Sequence, residues 1–487
     1  MRDLRELGRV EPKIYDVAII GAGVIGLLVA YELSKFDLSI VLVEKEAEAG
    51  FGVSKGHAGV IHVIQPPFNS LKSVLALYGN RLYDKISREL KVGMIRLPAL
   101  LVARSRAQLA LIPVIYSILK LVYGVRGFKV SIVAGKKLRL IEPNVVGYAA
   151  IMVEGYGVID SFELVYRLLD ECRARGVDLL FNTEARGFRF EGDDIIVIET
   201  SRGSIKARYV VNSTGLNSDI LASKTGESER IEPFLGVMLV FDKLQVRSIV
   251  TPLPSLKPTR TKGGGVIPTV WGNTIWGPSF TPIISRENRE VRAEDVLYVI
   301  RKFKRLVRVK GRLIKVYSGI RPSAVSGDFS ISYSPLTKRI INLVGIESPG
   351  LTAAPAIALI VSKMLRDAGL KLMATKKVLH RTEPTLSTRV KLALDPSNIS
   401  GYDGVIICPC MKVSLADVTE AIRRGASTLD GIMFRTKLGM GSCQGLHCVG
   451  RAITILQKLT GASPRSLTKN TSGSWLVEEL RVDEIEK

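Results

Sequence analysis

The chain has 487 residues, 46% of them hydrophobic and 24% charged, which excludes a disordered or fibrous protein and leaves room for two or more domains with sizeable cores. Lysine and arginine outnumber aspartate and glutamate by 69 to 46, a net charge of +23, yet no dense basic run carries interleaved aromatics, so a basic solvated surface is expected and nucleic acid is not an expected partner. Five cysteines exclude a secreted disulfide scaffold, and the charged opening MRDLRELGRVEPK lacks the apolar segment of a leader, so a cytoplasmic chain is expected.

The first element is YDVAIIGAGVIGLLVAYELSKFDLSIVLVEKE, which reads as strand, turn, helix, strand. Val17 to Ile20 form the continuous apolar run of a strand buried on both faces. Gly21, Gly23 and Gly26 follow as G-x-G-x-x-G at the strand-to-helix turn. The first glycine permits the tight turn, the second lets backbone approach a pyrophosphate, and the third lets helix and strand pack closely. The phosphates then face the positive end of the helix dipole. Glu44, with Lys45 beside it, ends the second strand eighteen residues after Gly26, where a carboxylate accepts hydrogen bonds from ribose hydroxyls. The pattern predicts a bound dinucleotide and leaves FAD and NAD both open.

The next notable stretch is AQLALIPVIYSILKLVYG, residues 107–124. It falls short of the roughly 20 residues that span a bilayer and carries Pro113 and Lys120, so a buried helix is expected, with an apolar patch for a partner or membrane surface as the alternative. Farther on, Ser161 is positioned to cap an amphipathic helix through Leu164, Leu168 and Leu169. Cys172 lies on that helix and is expected only to pack. VDLLFN, a hairpin through GDD, and the apolar strand RYVVNSTG follow, and the strand delivers Thr214 and Gly215 to the dinucleotide. From Ile231 to Ile320 the pattern turns to β and suggests a sheet roofing a substrate cavity. INLVGIESPGLTAAPAIALIVSKML then reads as strand, glycine loop and helix, with Gly345 and Gly350 framing the loop.

Four of the five cysteines sit together near the C-terminal end. Cys408 and Cys410 form C-x-C, and Cys443 and Cys448 form C-x4-C after an interval of thirty-two residues. Ser414 and Asp417 have the spacing of a capping box for a helix ending near Gly425; a second helix is expected through TLDGIMFRTKL to Gly439, and a third from Cys448. So small a helical module has little core, and four thiolates on a metal centre would hold it. The spacing leaves a [2Fe–2S] cluster, structural zinc and copper open.

Taken together, IIGAGVIG, SKGHAGVIH, PTVWGNTIWGPS, YSGIRPS and GIESPGLTAAPAIA resemble the FAD-dependent D-amino-acid oxidase/glycerol-3-phosphate dehydrogenase superfamily over roughly residues 14–370. With the terminal cysteines, the chain is similar to the large subunit of anaerobic glycerol-3-phosphate dehydrogenases, whose C-terminal [2Fe–2S] domain is of the bacterioferritin-associated ferredoxin type. The resemblance implies FAD rather than NAD and a [2Fe–2S] cluster on Cys408, Cys410, Cys443 and Cys448. It places Ser54 and Gly59 on the loop past the pyrophosphate, and Gly350, Leu351 and Thr352 near the flavin ring. His62 matches a histidine near the flavin, as the proton acceptor for alcohol oxidation, with His57 as its rival; Arg321 matches an arginine facing the substrate.

The implied fold is α/β and α+β. A Rossmann-like FAD-binding domain (about 14–66, 155–230 and 320–375) interleaves with an antiparallel-sheet substrate domain (67–154 and 231–319), both within 14–375. A linker (376–402), a small all-α [2Fe–2S] module (403–465) and a tail (466–487) follow. The implied reaction is oxidation of sn-glycerol 3-phosphate to dihydroxyacetone phosphate, with electrons passing to a quinone or partner protein and with peripheral membrane association. Two departures keep other hydroxy acids and amino acids open as substrates. HVIQPPFNSLK lacks the arginine that follows the histidine in the family, and Leu235 stands where a charged residue is usual. Lys72 and Lys262 are candidate replacements as anion contacts. A zinc-bearing basic binding protein on a degenerate flavin fold is the alternative of a different class.

Overall fold

The computed structural model describes residues 13–253, 263–375 and 405–477. The expected linker therefore lies outside the described residues, as does Lys262. Ile14–Ile20 is the central strand of an eight-stranded sheet, flanked in parallel by Ile40–Val43 and Gly203–Asn212, with Asp178–Leu180 and Thr337–Val344 parallel outside them. The hairpin Ala185–Glu191/Ile195–Thr200 extends it antiparallel. The helices Val24–Leu33, Ser161–Ala174 and Gly350–Asp367 cover the sheet through Leu27, Leu168 and Ile357, all fully buried. This covering is why the parallel strands read as unbroken apolar runs.

A second sheet of nine strands carries the other lobe. Its long pair, Ile231–Phe241 against Leu313–Ala324, is antiparallel, while Ile249–Pro252 joins Ala99–Ala103 in parallel, a departure from a wholly antiparallel sheet. Leu313–Ala324 runs unbroken past residue 320, so the chain returns to the first sheet only after Ala324. A helix, Ala293–Phe303, interrupts the region expected to be all β. Val299 and Phe303 drive it onto the sheet, and Glu294 and Asp295 at its start and Arg301 and Lys302 at its end match the helix dipole.

Several other local expectations are corrected. Asp160, not Ser161, caps the helix Ser161–Ala174: its carboxylate accepts the N–H groups of Phe162 and Glu163, and Ser161 is the first helical residue. The apolar stretch forms a helix, Arg106–Leu119, with a π-turn through Gly124, but only 22% of its apolar window is buried. Ile112, Ile115, Leu119 and Tyr123 pack inward, whereas Leu109, Val114, Ile118 and Leu121 are exposed.

The C-terminal module is not purely α. Ile406–Cys408 and Val413–Ser414 form a hairpin carrying the C-x-C pair, followed by helices Leu415–Arg423, Leu429–Thr436 and Val449–Thr460. Ser414 and Asp417 make both bonds of the capping box. The middle helix stops at Thr436 because Lys437 turns left-handed (φ +66°), two residues before Gly439. The module also extends into the expected tail: Leu467 is buried in its core, and Thr468 pairs with Trp475.

The module docks on the first lobe through Phe434, which stacks on Phe162 (4.3 Å between centroids) and meets Phe51 edge-on (5.7 Å). Each such aromatic pair contributes about 0.5–1.5 kcal/mol beyond its buried area. Three ion pairs surround it: Arg435–Glu48 (3.2 Å), Arg424–Asp170 (3.1 Å) and Lys437–Asp160 (3.0 Å).

Candidate active site and cysteine centre

Between the two sheets lies a cavity of about 1890 Å³. Gly21, Gly23, Glu44, Lys45, Ser54, Gly59, Thr214 and Gly215 line one reach of it, and His57, His62, Arg321, Gly350, Leu351 and Thr352 line another. Gly26 and Gly345 are absent from the wall. A Cβ on Gly26 would stand 2.0 Å from the Gly21 carbonyl oxygen, so this glycine serves the helix–strand contact. A Cβ on Gly345 would stand 2.4 Å from that of Ala324, so its lack of a side chain admits a neighbouring strand rather than a ligand.

The residues fit a flavin dinucleotide. Gly21 has φ +102°, and a Cβ there would lie 2.6 Å from the Ser213 carbonyl oxygen. The helix after it starts at a glycine cap and has no acid in its first turn, which suits a pyrophosphate. Ser54 reaches across to accept the Val24 N–H at 3.0 Å. Glu44 accepts the Ala22 N–H at 2.7 Å and the Glu46 N–H at 3.0 Å, one on each oxygen, which leaves lone pairs for ribose hydroxyls. Burial raises this carboxyl and the two N–H donors oppose the rise. At the other reach, no side chain caps the helix Gly350–Asp367, so its first turn presents backbone N–H groups and a positive dipole end to the cavity.

His62 is fixed through its backbone. Its N–H donates to Thr352 Oγ1 at 3.0 Å, and its carbonyl accepts from Asn80 Nδ2 at 2.8 Å. Burial, and secondly the Arg321 charge, lower the imidazole to about 4, so it is neutral at pH 7 and able to accept a proton. His57 is likewise lowered to about 4 by burial, and among the described residues its buried Nδ1 has no partner. Arg321 is lowered to about 10 by burial and remains a cation; its Nη1 is also buried without a partner among the described residues. The guanidinium lies over the Phe280 ring at 5.6 Å, and its unpartnered donor calls for an anion.

Lys302 is not among the expected site residues, yet it also lines the cavity. Its ammonium donates to the Gly263 carbonyl at 2.6 Å; burial, then Arg321, lower it to about 8. The only signal for it in the chain is its place in the last turn of an amphipathic helix. Lys72, by contrast, is buried outside the cavity wall, bonded to the Gly327 carbonyl and 3.5 Å from Glu347, so it does not replace the missing arginine.

The four clustered thiols come as two pairs. Cys410 and Cys443 stand 3.5 Å apart, and Cys408 and Cys448, both buried, are hydrogen-bonded. Cys443 is held low first by Cys410 and then by the backbone N–H groups of Gly445, His447 and Leu446, the donors a ligating thiolate needs. Two thiol pairs suit two irons. Cys172 is fully buried elsewhere, its thiol pushed up to about 12 by burial, consistent with packing alone.

Comparison with known proteins agrees with both halves. The FAD dependent oxidoreductase family model matches residues 16–364, and the BFD-like [2Fe-2S] binding domain matches residues 406–458. The glycerol 3-phosphate dehydrogenase of Caloramator mitchellensis is 29% identical over 95% of this chain and 98% of its own. The L-2-hydroxyglutarate dehydrogenase of Nematostella vectensis is 29% identical over 52% of this chain and 59% of its own. Among solved structures, the L-alpha-glycerophosphate oxidase of Mycoplasma pneumoniae with FAD bound superposes with a TM-score of 0.70 at 24% identity, covering 76% of this chain and 99% of its own. These matches and the cavity set aside the zinc-bearing binding protein. The chain belongs to the family of FAD-dependent oxidoreductases and joins to it a BFD-like domain for a [2Fe–2S] cluster.

Proposed function

We propose that the protein dehydrogenates sn-glycerol 3-phosphate at its secondary hydroxyl, giving dihydroxyacetone phosphate. The observation that carries this reading is the buried Arg321 guanidinium, whose Nη1 has no partner among the described residues, close enough to a neutral histidine, His62, to lower its pKa within one cavity. Bound there, FAD supplies the hydride acceptor, and the [2Fe–2S] cluster supplies a one-electron outlet toward a quinone or protein acceptor. His62 takes the hydroxyl proton. Arg321 and Lys302 hold the anionic end and exclude uncharged alcohols. The near full-length similarity to a glycerol 3-phosphate dehydrogenase supports this choice of alcohol.

A second reading is a 2-hydroxy dicarboxylate. Two cations suit a second carboxylate as well as a phosphate, and L-2-hydroxyglutarate dehydrogenases are among the relatives. Anaerobic absorbance separates the two. Glycerol 3-phosphate is expected to bleach the flavin band and then the cluster shoulder at micromolar to millimolar concentration. Bleaching by L-2-hydroxyglutarate and not by glycerol 3-phosphate overturns the first reading in favour of the second.

A further inference from the structure

We propose that the outer face of the helix Arg106–Leu119 and its continuation to Gly124 rests on an anionic lipid bilayer, with the active-site cavity opening at that contact. Val114, Ile118, Leu121 and Val125 form an exposed apolar stripe along it, and Leu121 and Val125 are 71% and 77% exposed. The spacing of three or four residues keeps them on one side of the helix. The opposite side, through Ile112, Ile115 and Leu119, is packed into the second lobe, so the helix lies flat on the protein and does not cross a membrane alone.

Charge selects the partner. From Arg104 to Ile141 the chain holds eight lysines and arginines and no aspartate or glutamate. An apolar stripe in a purely cationic segment complements anionic headgroups above acyl chains; a second copy of this basic chain would bring like charges together. Ile118 provides the link to the site: it is 43% exposed on the stripe and, with Ile115 and Leu119, lines the same cavity as His62 and Arg321. A lipid-soluble molecule thus has an apolar entrance from the bilayer. The surface stands whichever alcohol is the substrate.

Vesicle co-sedimentation of the full-length holoenzyme tests the proposal. The protein is expected to bind vesicles of phosphatidylglycerol and phosphatidylcholine at least tenfold more tightly than phosphatidylcholine alone, and to be released by high salt. Val114→Glu with Leu121→Glu changes exposed residues outside the cavity wall. The double variant should lose that binding about tenfold or more while keeping its flavin absorbance and its turnover with a soluble dye. Lys120→Gln with Arg126→Gln removes charge without touching the stripe and should weaken binding roughly tenfold. The proposal is overturned if the native protein ignores anionic vesicles, or if V114E/L121E still sediments with them. It is equally overturned if, without lipid, the native protein is an oligomer that V114E/L121E dissociates, since the stripe would then be an interface between copies.

Discussion

Lys437 Nζ lies 3.0 Å from Asp160 Oδ1, and both side chains are almost wholly buried. The same carboxylate caps the helix Ser161–Ala174 and accepts the Trp271 indole N–H at 2.7 Å. One aspartate therefore joins the nucleotide lobe, the substrate sheet and the cluster module. The contact also explains why a lysine occupies a left-handed backbone position that costs most side chains strain.

Removing Lys437 strands a buried carboxylate. K437M is expected to destabilise the fold by about 3–5 kcal/mol, measured by urea unfolding followed through both flavin and cluster absorbance. A loss below about 1 kcal/mol would show the pair to be a minor contact. Burial alone raises the Asp160 carboxyl, but Lys437 and the N–H donors outweigh it and hold it below the ordinary range. Its contribution is thus present above an unfolded pKa of about 4 and is lost as pH falls through the lower folded value. K437M should flatten that acid limb.

Thr352 holds the backbone of His62. T352V deletes the acceptor of the His62 N–H and leaves the shape nearly unchanged. We expect kcat to fall about tenfold or more with little change in KM, because the imidazole loses its placement and the anion site is untouched. H62Q should cost about 10²–10⁴-fold in kcat. An unchanged kcat in H62Q would transfer the proton-accepting role to His57.

The two cations make separable predictions. R321M and K302M should each raise KM for an anionic substrate roughly 10- to 100-fold, the worth of one charged hydrogen bond. Only R321M should also move the acid limb of turnover upward. His62 must be neutral to accept a proton, so activity is lost as pH falls through its value of about 4, and Arg321 is one cause of that low value. Stopped-flow flavin reduction across pH reads both effects.

The thiol pairs predict a separation of chemistries. C443S, or C410S, should abolish the cluster absorbance and the electron paramagnetic resonance signal of the reduced protein while the flavin still bleaches with substrate. If the flavin can no longer be reduced, the centre is needed for the fold rather than for the outward path of electrons.

Elements governed by chain neighbours are legible in the sequence. Gly21 and Gly26 announce a turn because a Cβ would collide with backbone a few residues or one strand away. Ser414 and Asp417 announce a helix start three residues apart. The C-x-C and C-x4-C spacings announce a shared centre. The apolar run at Val17–Ile20 announces a strand covered on both faces. The helix Ala293–Phe303 is legible in principle too, through its periodicity and end charges, but the β-like runs around it mask that signal.

What the sequence determined by itself is local: sterics, capping and periodicity act within about one turn or one strand, and they specified the nucleotide fold, the cysteine centre and the order of the lobes. The tertiary structure alone decided which distant residues meet. Lys72 sinks against Glu347, while Lys302 reaches the cavity instead. Thr352 finds His62 across 290 positions and Lys437 finds Asp160 across 277. An apolar helix expected to be buried turns one side outward. Such outcomes depend on the register and packing of whole elements, a collective property of two sheets and a docked module that no single stretch of residues encodes.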